Sequence, residues 1–195
     1  MSKSDSGASK KEKNKTIRWV LTIFVITILV TGVISFASDA IMASSTMLVA
    51  FIILFAIIWI GIIFDVIGVA VTSADERPFH SMASRKVPGA QESIRLLRNA
   101  ERVSSICNDV VGDICGVISG SASATIAAQV LRNFEFTAEY IIPLIMSALV
   151  AGLTVGGKAL GKTFAINSCT RIVHGVGKLV WAFRHLPQTL KKRKN

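Results

Sequence analysis

Long uncharged runs of apolar residues alternate with polar segments along this chain. Trp19 to Ala37 is a run of nineteen residues without a charge, and Met47 to Phe64 is a run of eighteen. A helix needs about 20 apolar residues to cross the hydrocarbon core of a bilayer, and it satisfies its own backbone there. The two runs therefore predict transmembrane helices over 17–37 and from Met47 to Ala74.

Two weaker apolar stretches predict two further spans. The third covers about 103–130, and the fourth runs from about Tyr140 to Gly156. Span three carries a small residue at every fourth position: Gly112, Gly116, Gly120, Ala124 and Ala128. Such a face lets helix backbones approach closely in lipid, which predicts that span three lies inside the bundle.

The polar segments between and after the spans predict shorter elements. Asp75–Arg102 is broken at two prolines, and Ala90–Arg98 has helical periodicity, so a helix-turn-helix fits this stretch. Apolar positions are scattered among cations over 158–186, which predicts an amphipathic helix along the membrane interface. A solvated helix packed on the preceding loop is the alternative. The composition predicts disorder for residues 1–16 and a basic tail over 187–195.

The basic residues are grouped on one side of these spans. Of the 22 Lys and Arg, six lie in 3–18, six in 77–102 and nine in 158–194. Because basic segments beside spans mark the cytoplasmic face, we predict a multi-pass inner-membrane protein with both termini in the cytoplasm. Segments 38–46 and 132–139 then face outward. The net charge of +10 suits anionic lipid, so we expect the bilayer as a partner and no nucleic acid.

Several classes of function lack their sequence signals. The first apolar run exceeds the usual signal-peptide core and no A-x-A cleavage site follows, which favours a retained anchor. The three cysteines have no zinc or disulfide spacing. Val110 to Asp113 lacks the first glycine of the Gly-x-Gly-Asp run of aspartyl membrane proteases, and no phosphate loop or catalytic triad is present. We therefore expect no enzyme activity and no bound cofactor.

Three carboxylates fall inside the predicted spans. Asp65 lies about 15 Å from the inner end of span two, Asp113 about 16 Å into span three, and Asp109 about 10 Å into it. Charges in hydrocarbon usually face an interior or an ion path, and carboxylate and amide oxygens suit Mg²⁺. Asp65, Asp109, Asp113 and Asn108 are therefore candidate metal ligands that can meet at one level of the membrane.

A structural role is the alternative for each carboxylate. Asp109 can lie near the headgroups and be solvated. Asp65 and Asp113 can be protonated and hydrogen-bonded to neighbouring helices.

Three local motifs resemble the transmembrane domain of the CNNM/CorC (CorB-like) family of magnesium and cobalt transport proteins. Phe64–Thr72, FDVIGVAVT, resembles the family run F-S-G-x-E-T-A-L-T. Arg95–Arg102, RLLRNAER, resembles R-x-L-x-L-L-x-x-P-x-R. Gly157–Ala165, GKALGKTFA, resembles G-E-x-x-P-K-x-x-A. The resemblance covers residues 47–186, with 17–37 as an extra span in front.

The resemblance implies three spans, a cytoplasmic helix-turn-helix, a belt helix, a homodimer and divalent-cation transport. Several positions depart from the family pattern: Asp65 and Val66 replace its Ser and Gly, Gly68 and Lys158 replace its glutamates, and Gly161 replaces its Pro. A lysine at an ion site repels a cation. The alternative is therefore a non-transporting membrane scaffold or partner subunit. Few residues follow the belt helix, so we expect no CBS pair and no nucleotide regulation.

Overall fold

A computed structural model describes the backbone of residues 4–133 and 140–192, and all regular elements in these ranges are helices. The helices are α1 Ser4–Ser44, α2 Met47–Ser73, α3 Arg77–Ser84, α4 Ala90–Arg98, α5 Ala100–Ser105, α6 Asp113–Asn133, α7 Ile141–Asn167 and α8 Cys169–Lys192. A π-helical segment, Ile106–Gly112, joins α5 to α6. Most of the predicted outer loop over 132–139 and the side chains of the basic tail lie outside the described residues.

Four helical segments are long and apolar enough to cross a membrane. They are Ile17–Ser38 of α1, Met47–Ser73, Ala100–Arg132 and Ile141–Asn167. The third combines α5, the π-helical segment and α6, and is called the third span below. These segments confirm the all-α membrane fold with four spans. The predicted helix-turn-helix is also confirmed: α3 begins at Arg77 with Pro78 in its first turn, and α4 begins directly after Gly89.

The third span is the most buried of the four. Within its most apolar window 44% of residues are buried, against 22% in α2, 6% in α7 and none in α1. It packs against α2 and α7, which also pack against each other, and α1 lies against α6. Leu54 and Ile58 of α2 meet Ile126 of α6 in one apolar cluster of this bundle. The predicted central position of span three is confirmed.

The small-residue stripe of span three does not provide the packed face that we expected. Gly112 is buried, but the stripe beyond it is exposed: Gly116, Gly120, Ala124 and Ala128. The buried face of α6 instead carries Ile114, Ile118 and Ile126.

Three helix boundaries differ from the sequence-based prediction. Span four continues to Asn167, and the amphipathic helix α8 begins at Cys169 instead of 158. The prediction ended the span at its first lysine, but the structure keeps Lys158 within α7 beside a carboxylate. At the other end, α1 begins at Ser4, where we expected disorder; Lys, Glu and Ala are good helix formers and the span behind them supplies a formed helix.

Helix α8 docks on α4 at the end of the bundle that carries α3, here called the hairpin end. Gly177 of α8 lies against Gly89 and Ser93: a Cβ at Gly177 would overlap the Ser93 hydroxyl and lie 2.7 Å from the Gly89 carbonyl oxygen. The Ser93 hydroxyl donates to the Val173 carbonyl oxygen at 3.2 Å. Gly89 has φ of 85°, a left-handed conformation that glycine adopts without strain. These contacts let the two backbones touch.

An ion-pair network reinforces this contact. The Glu92 carboxylate, 11% exposed, accepts hydrogen bonds from Arg184 of α8 at 3.0 Å and from Arg95 at 3.1 Å. Burial raises the pKa of the Glu92 carboxyl, but the hydrogen bond from Arg184 and the charges of both arginines outweigh burial, so its pKa lies below the usual 4.5. A lowered pKa in the folded state stabilises the contact above about pH 4.5 and loses that effect as the pH falls.

Replacing Gly177 with alanine should loosen α8 from α4. The added Cβ has no space, and overpacking of this kind costs about 1–3 kcal/mol. Gly175→Ala is the matched control, because nothing lies within 4 Å of a Cβ at that position. We expect faster proteolysis of α8 in Gly177→Ala alone. Equal proteolysis of the two variants would contradict this packing.

The Glu92 network should give a pH-dependent difference between the wild type and Glu92→Gln. Near neutral pH the wild type should be more stable by about 1 kcal/mol, because the arginine heads are largely solvated. The difference should narrow as the pH falls below 4.5, since only the wild-type side chain titrates. Thermal unfolding in detergent measures it, and a difference that stays constant with pH would rule out this role for Glu92.

Candidate intramembrane polar site

An ion pair lies within the spans. The Lys158 ammonium of α7 is 3.9 Å from Asp65 Oδ1 of α2, and the two side chains are 30% and 17% exposed. Asp65 lies eight residues before the end of α2 and Lys158 nine before the end of α7, about 12 and 14 Å from those ends. The two charges therefore lie at a similar distance from the ends of their two spans.

Glycines of α2 bring the third span close on both sides of Asp65. A Cβ at Gly61 would lie 2.9 Å from Cys115 Cβ. A Cβ at Gly68 would overlap the Asn108 side-chain amide. The two glycines are one turn before and one turn after Asp65, so the carboxylate is held between two close helix contacts.

Helix α7 approaches α2 through glycines as well. Gly157 lies against the Ile62 side chain, and a Cβ at Gly161 would lie 2.7 Å from Val66 Cγ2. These two positions flank Lys158, which directs its ammonium between α2 and the third span. A Cβ at Gly112 would lie 3.5 Å from Lys158 Nζ. The absence of side chains at these glycines is what lets the lysine reach the carboxylate.

The π-helical segment presents Asn108 and Gly112 to this junction. π-bulges are rare and occur often at functional sites. Asn108 Nδ2 donates to Ser104 Oγ at 3.3 Å. Its Oδ1 is buried and accepts no hydrogen bond from the residues that the structure describes. Asn108 is thus the predicted ligand that packs directly on the helix of Asp65.

Asp109 and Asp113 lie on the other side of the third span. Both are exposed, and Asp109 accepts a hydrogen bond from Ser105 Oγ at 2.8 Å. Neither forms an ion pair with any side chain that the structure describes. The Asp65 side chain, in contrast, is 17% exposed and pairs with Lys158.

The three carboxylates therefore do not form the predicted cluster. Within the described part of the chain no group of three or more His, Cys, Asp and Glu side chains is arranged to hold a metal. A four-residue spacing sets which side chains share a face, but it does not set which neighbour that face meets. The partner of Asp65 is Lys158. Its signal in the sequence was the first lysine after the apolar run of span four, followed by Lys162 one turn later.

The arrangement neutralises a carboxylate inside the membrane. An ammonium beside a carboxylate avoids the large cost of an isolated charge in hydrocarbon. It also occupies the space next to Asp65 where a metal cation would bind. Its clearest physical role is to fix α2, α7 and the third span in one register.

No family model, no curated protein and no solved structure matches the chain. The resemblance to the CNNM/CorC family therefore stays a prediction from the three motifs quoted above. Function has to be argued from the geometry and charges of the site.

Removing one partner of the Asp65–Lys158 pair should destabilise the bundle. We expect Asp65→Asn and Lys158→Gln each to cost about 1–3 kcal/mol, less than a fully buried pair because both side chains are partly exposed. The double variant should cost less than the sum of the two, since it leaves no charge without a partner. Unfolding in detergent measures this cycle, and Asp113→Asn is the control. Strict additivity would mean that the two residues do not interact.

Proposed function

We propose that this chain is a non-transporting scaffold or partner subunit with several spans in the cell membrane. A lysine of the protein takes the place of the metal cation. The observation that carries the proposal is the Lys158 ammonium 3.9 Å from Asp65. The supporting observation is that Asp109 and Asp113 are exposed on a different face. The chain then keeps the position beside Asp65 at which a cation would bind, but its own Lys158 ammonium occupies that position.

Electrostatic repulsion supports this proposal. Two unit charges about 4 Å apart interact with about 4 kcal/mol at an effective dielectric constant of 20. A divalent ion bound at Asp65 would feel the ammonium with twice that strength. This repulsion disfavours a cation at Asp65 for as long as the Lys158 ammonium stays beside the carboxylate.

The orientation follows from the charges at the hairpin end. Helices α3, α4 and α8 meet at this end, and the basic residues of 77–102 and of 171–184 lie on these helices and the turns between them. We place this end in the cytoplasm because positive residues beside spans are retained there.

The second candidate is divalent-cation transport by a CNNM/CorC-like homodimer. The observation that favours it is Asn108 Oδ1, a buried oxygen without a donor among the described residues, on the span that faces Asp65. Mg²⁺ binds such oxygens together with carboxylates. In this candidate the Lys158 ammonium leaves the site when the ion enters.

Magnesium binding and flux distinguish the two candidates. We expect no Mg²⁺ flux in proteoliposomes and no Mg²⁺-dependent thermal shift for the wild-type chain. Lys158→Ala frees the Asp65 carboxylate, so a Mg²⁺-dependent shift is expected in that variant. Lys162→Ala removes a lysine one turn further along α7 and should behave as the wild type.

Wild-type Mg²⁺ flux that Asp65→Ala abolishes would overturn the scaffold proposal and support the second candidate. Flux that persists in Asp65→Ala and Asp113→Ala would remove both residues from the ion path.

A further inference from the structure

A wide apolar groove runs between α2 and α7 on the outside of the bundle. Its volume is about 970 Å³, within the range of roughly 300–1,000 Å³ found for small-molecule sites. Large apolar side chains form its walls, among them Phe55, Trp59, Leu160 and Phe164. Gly156 of α7 also lines it, and nothing lies within 4 Å of a Cβ at that position. The groove thus has free space at membrane depth.

Helix α8 closes the groove at the hairpin end. Ile172, Gly175 and Val176 contribute to its lining. Leu179 and Phe183 continue the apolar face along α8 and are 61% and 70% exposed. The opposite side of α8 docks on α4 through Gly177. Helix α8 therefore lies with one face on the hairpin and the other toward lipid, as an interfacial helix does.

Two cations of α8 lie one helical turn from Gly175, which lines the closed end of the groove. Arg171 lies four residues before Gly175 and Lys178 three residues after it, so all three share one side of α8. Both basic side chains are exposed. Neither forms an ion pair within the ranges that the structure describes. Basic side chains beside an apolar face extend their heads to the level of lipid phosphates.

We propose that this groove binds an anionic phospholipid, with an acyl chain between α2 and α7 and the phosphate between Arg171 and Lys178. The apolar walls match the chain, and the two cations match the charge of the headgroup. A second copy of this chain fits poorly, because it would place the same cations against each other. The proposal is independent of whether the Asp65 region binds a cation.

Native mass spectrometry of the full chain tests the proposal. The protein in detergent is incubated with phosphatidylglycerol and phosphatidylcholine in equal amounts. The lipids of each kind that stay bound after the protein is released from the micelle are then counted. We expect the wild type to retain phosphatidylglycerol in preference. Arg171→Gln/Lys178→Gln should reduce that preference at least about fivefold, as expected for the loss of basic residues near anionic lipid. Gly156→Phe should fill the groove and reduce retention of both lipids.

Two control variants separate the site from general effects. Arg85→Gln/Lys86→Gln removes the same charge from two exposed residues of the hairpin turn and should keep the preference. Gly32→Phe adds a ring at a glycine of α1 with open space around it and should retain both lipids.

An equal loss of preference in the Arg85/Lys86 control would overturn the proposal, because it would show a non-specific charge effect. Lipid retention by Gly156→Phe equal to that of the wild type would overturn the proposal as well. So would a dimer of this chain that carries no lipid.

Discussion

The cost of placing a carboxylate in hydrocarbon is the constraint on which the rest of this bundle depends. Asp65 lies well inside α2, where an isolated charge is expensive. Lys158 of α7 offsets that cost at 3.9 Å. Because the two residues are on different helices, their pairing fixes the height of α7 relative to α2. The third span then packs around this pair through Gly112, Asn108 and Cys115.

Close helix approach makes the pair possible. Gly61 and Gly68 of α2 admit the third span, and Gly157 and Gly161 of α7 admit α2. In lipid the hydrophobic effect gives little drive between helices, so association depends on close packing and polar contacts. The same kind of close backbone contact occurs at the hairpin end, where Gly89 and Gly177 let α8 touch α4. Small residues thus position both the intramembrane pair and the interfacial helix.

The positions of the helices were easier to predict from the sequence than the face that each helix buries. Long apolar runs have few alternatives in a membrane, so the four spans and the α3–α4 hairpin were predictable. The end of span four was missed, because Lys158 was counted as a boundary, whereas it is an internal residue of α7 that pairs with Asp65. The prediction also missed that Asp113 and the small-residue stripe from Gly116 onward are exposed. Helical spacing gives shared faces, whereas the packing of neighbouring helices decides which face is buried.

Exchange of the two charges tests the central claim most directly. In Asp65→Lys/Lys158→Asp the pair is reversed but intact, whereas Asp65→Lys alone places two cations together and Lys158→Asp alone places two carboxylates together. The account predicts that the exchanged protein unfolds in detergent close to the wild type and that both single variants are strongly destabilised. An exchanged protein as unstable as the sum of the single variants would contradict it.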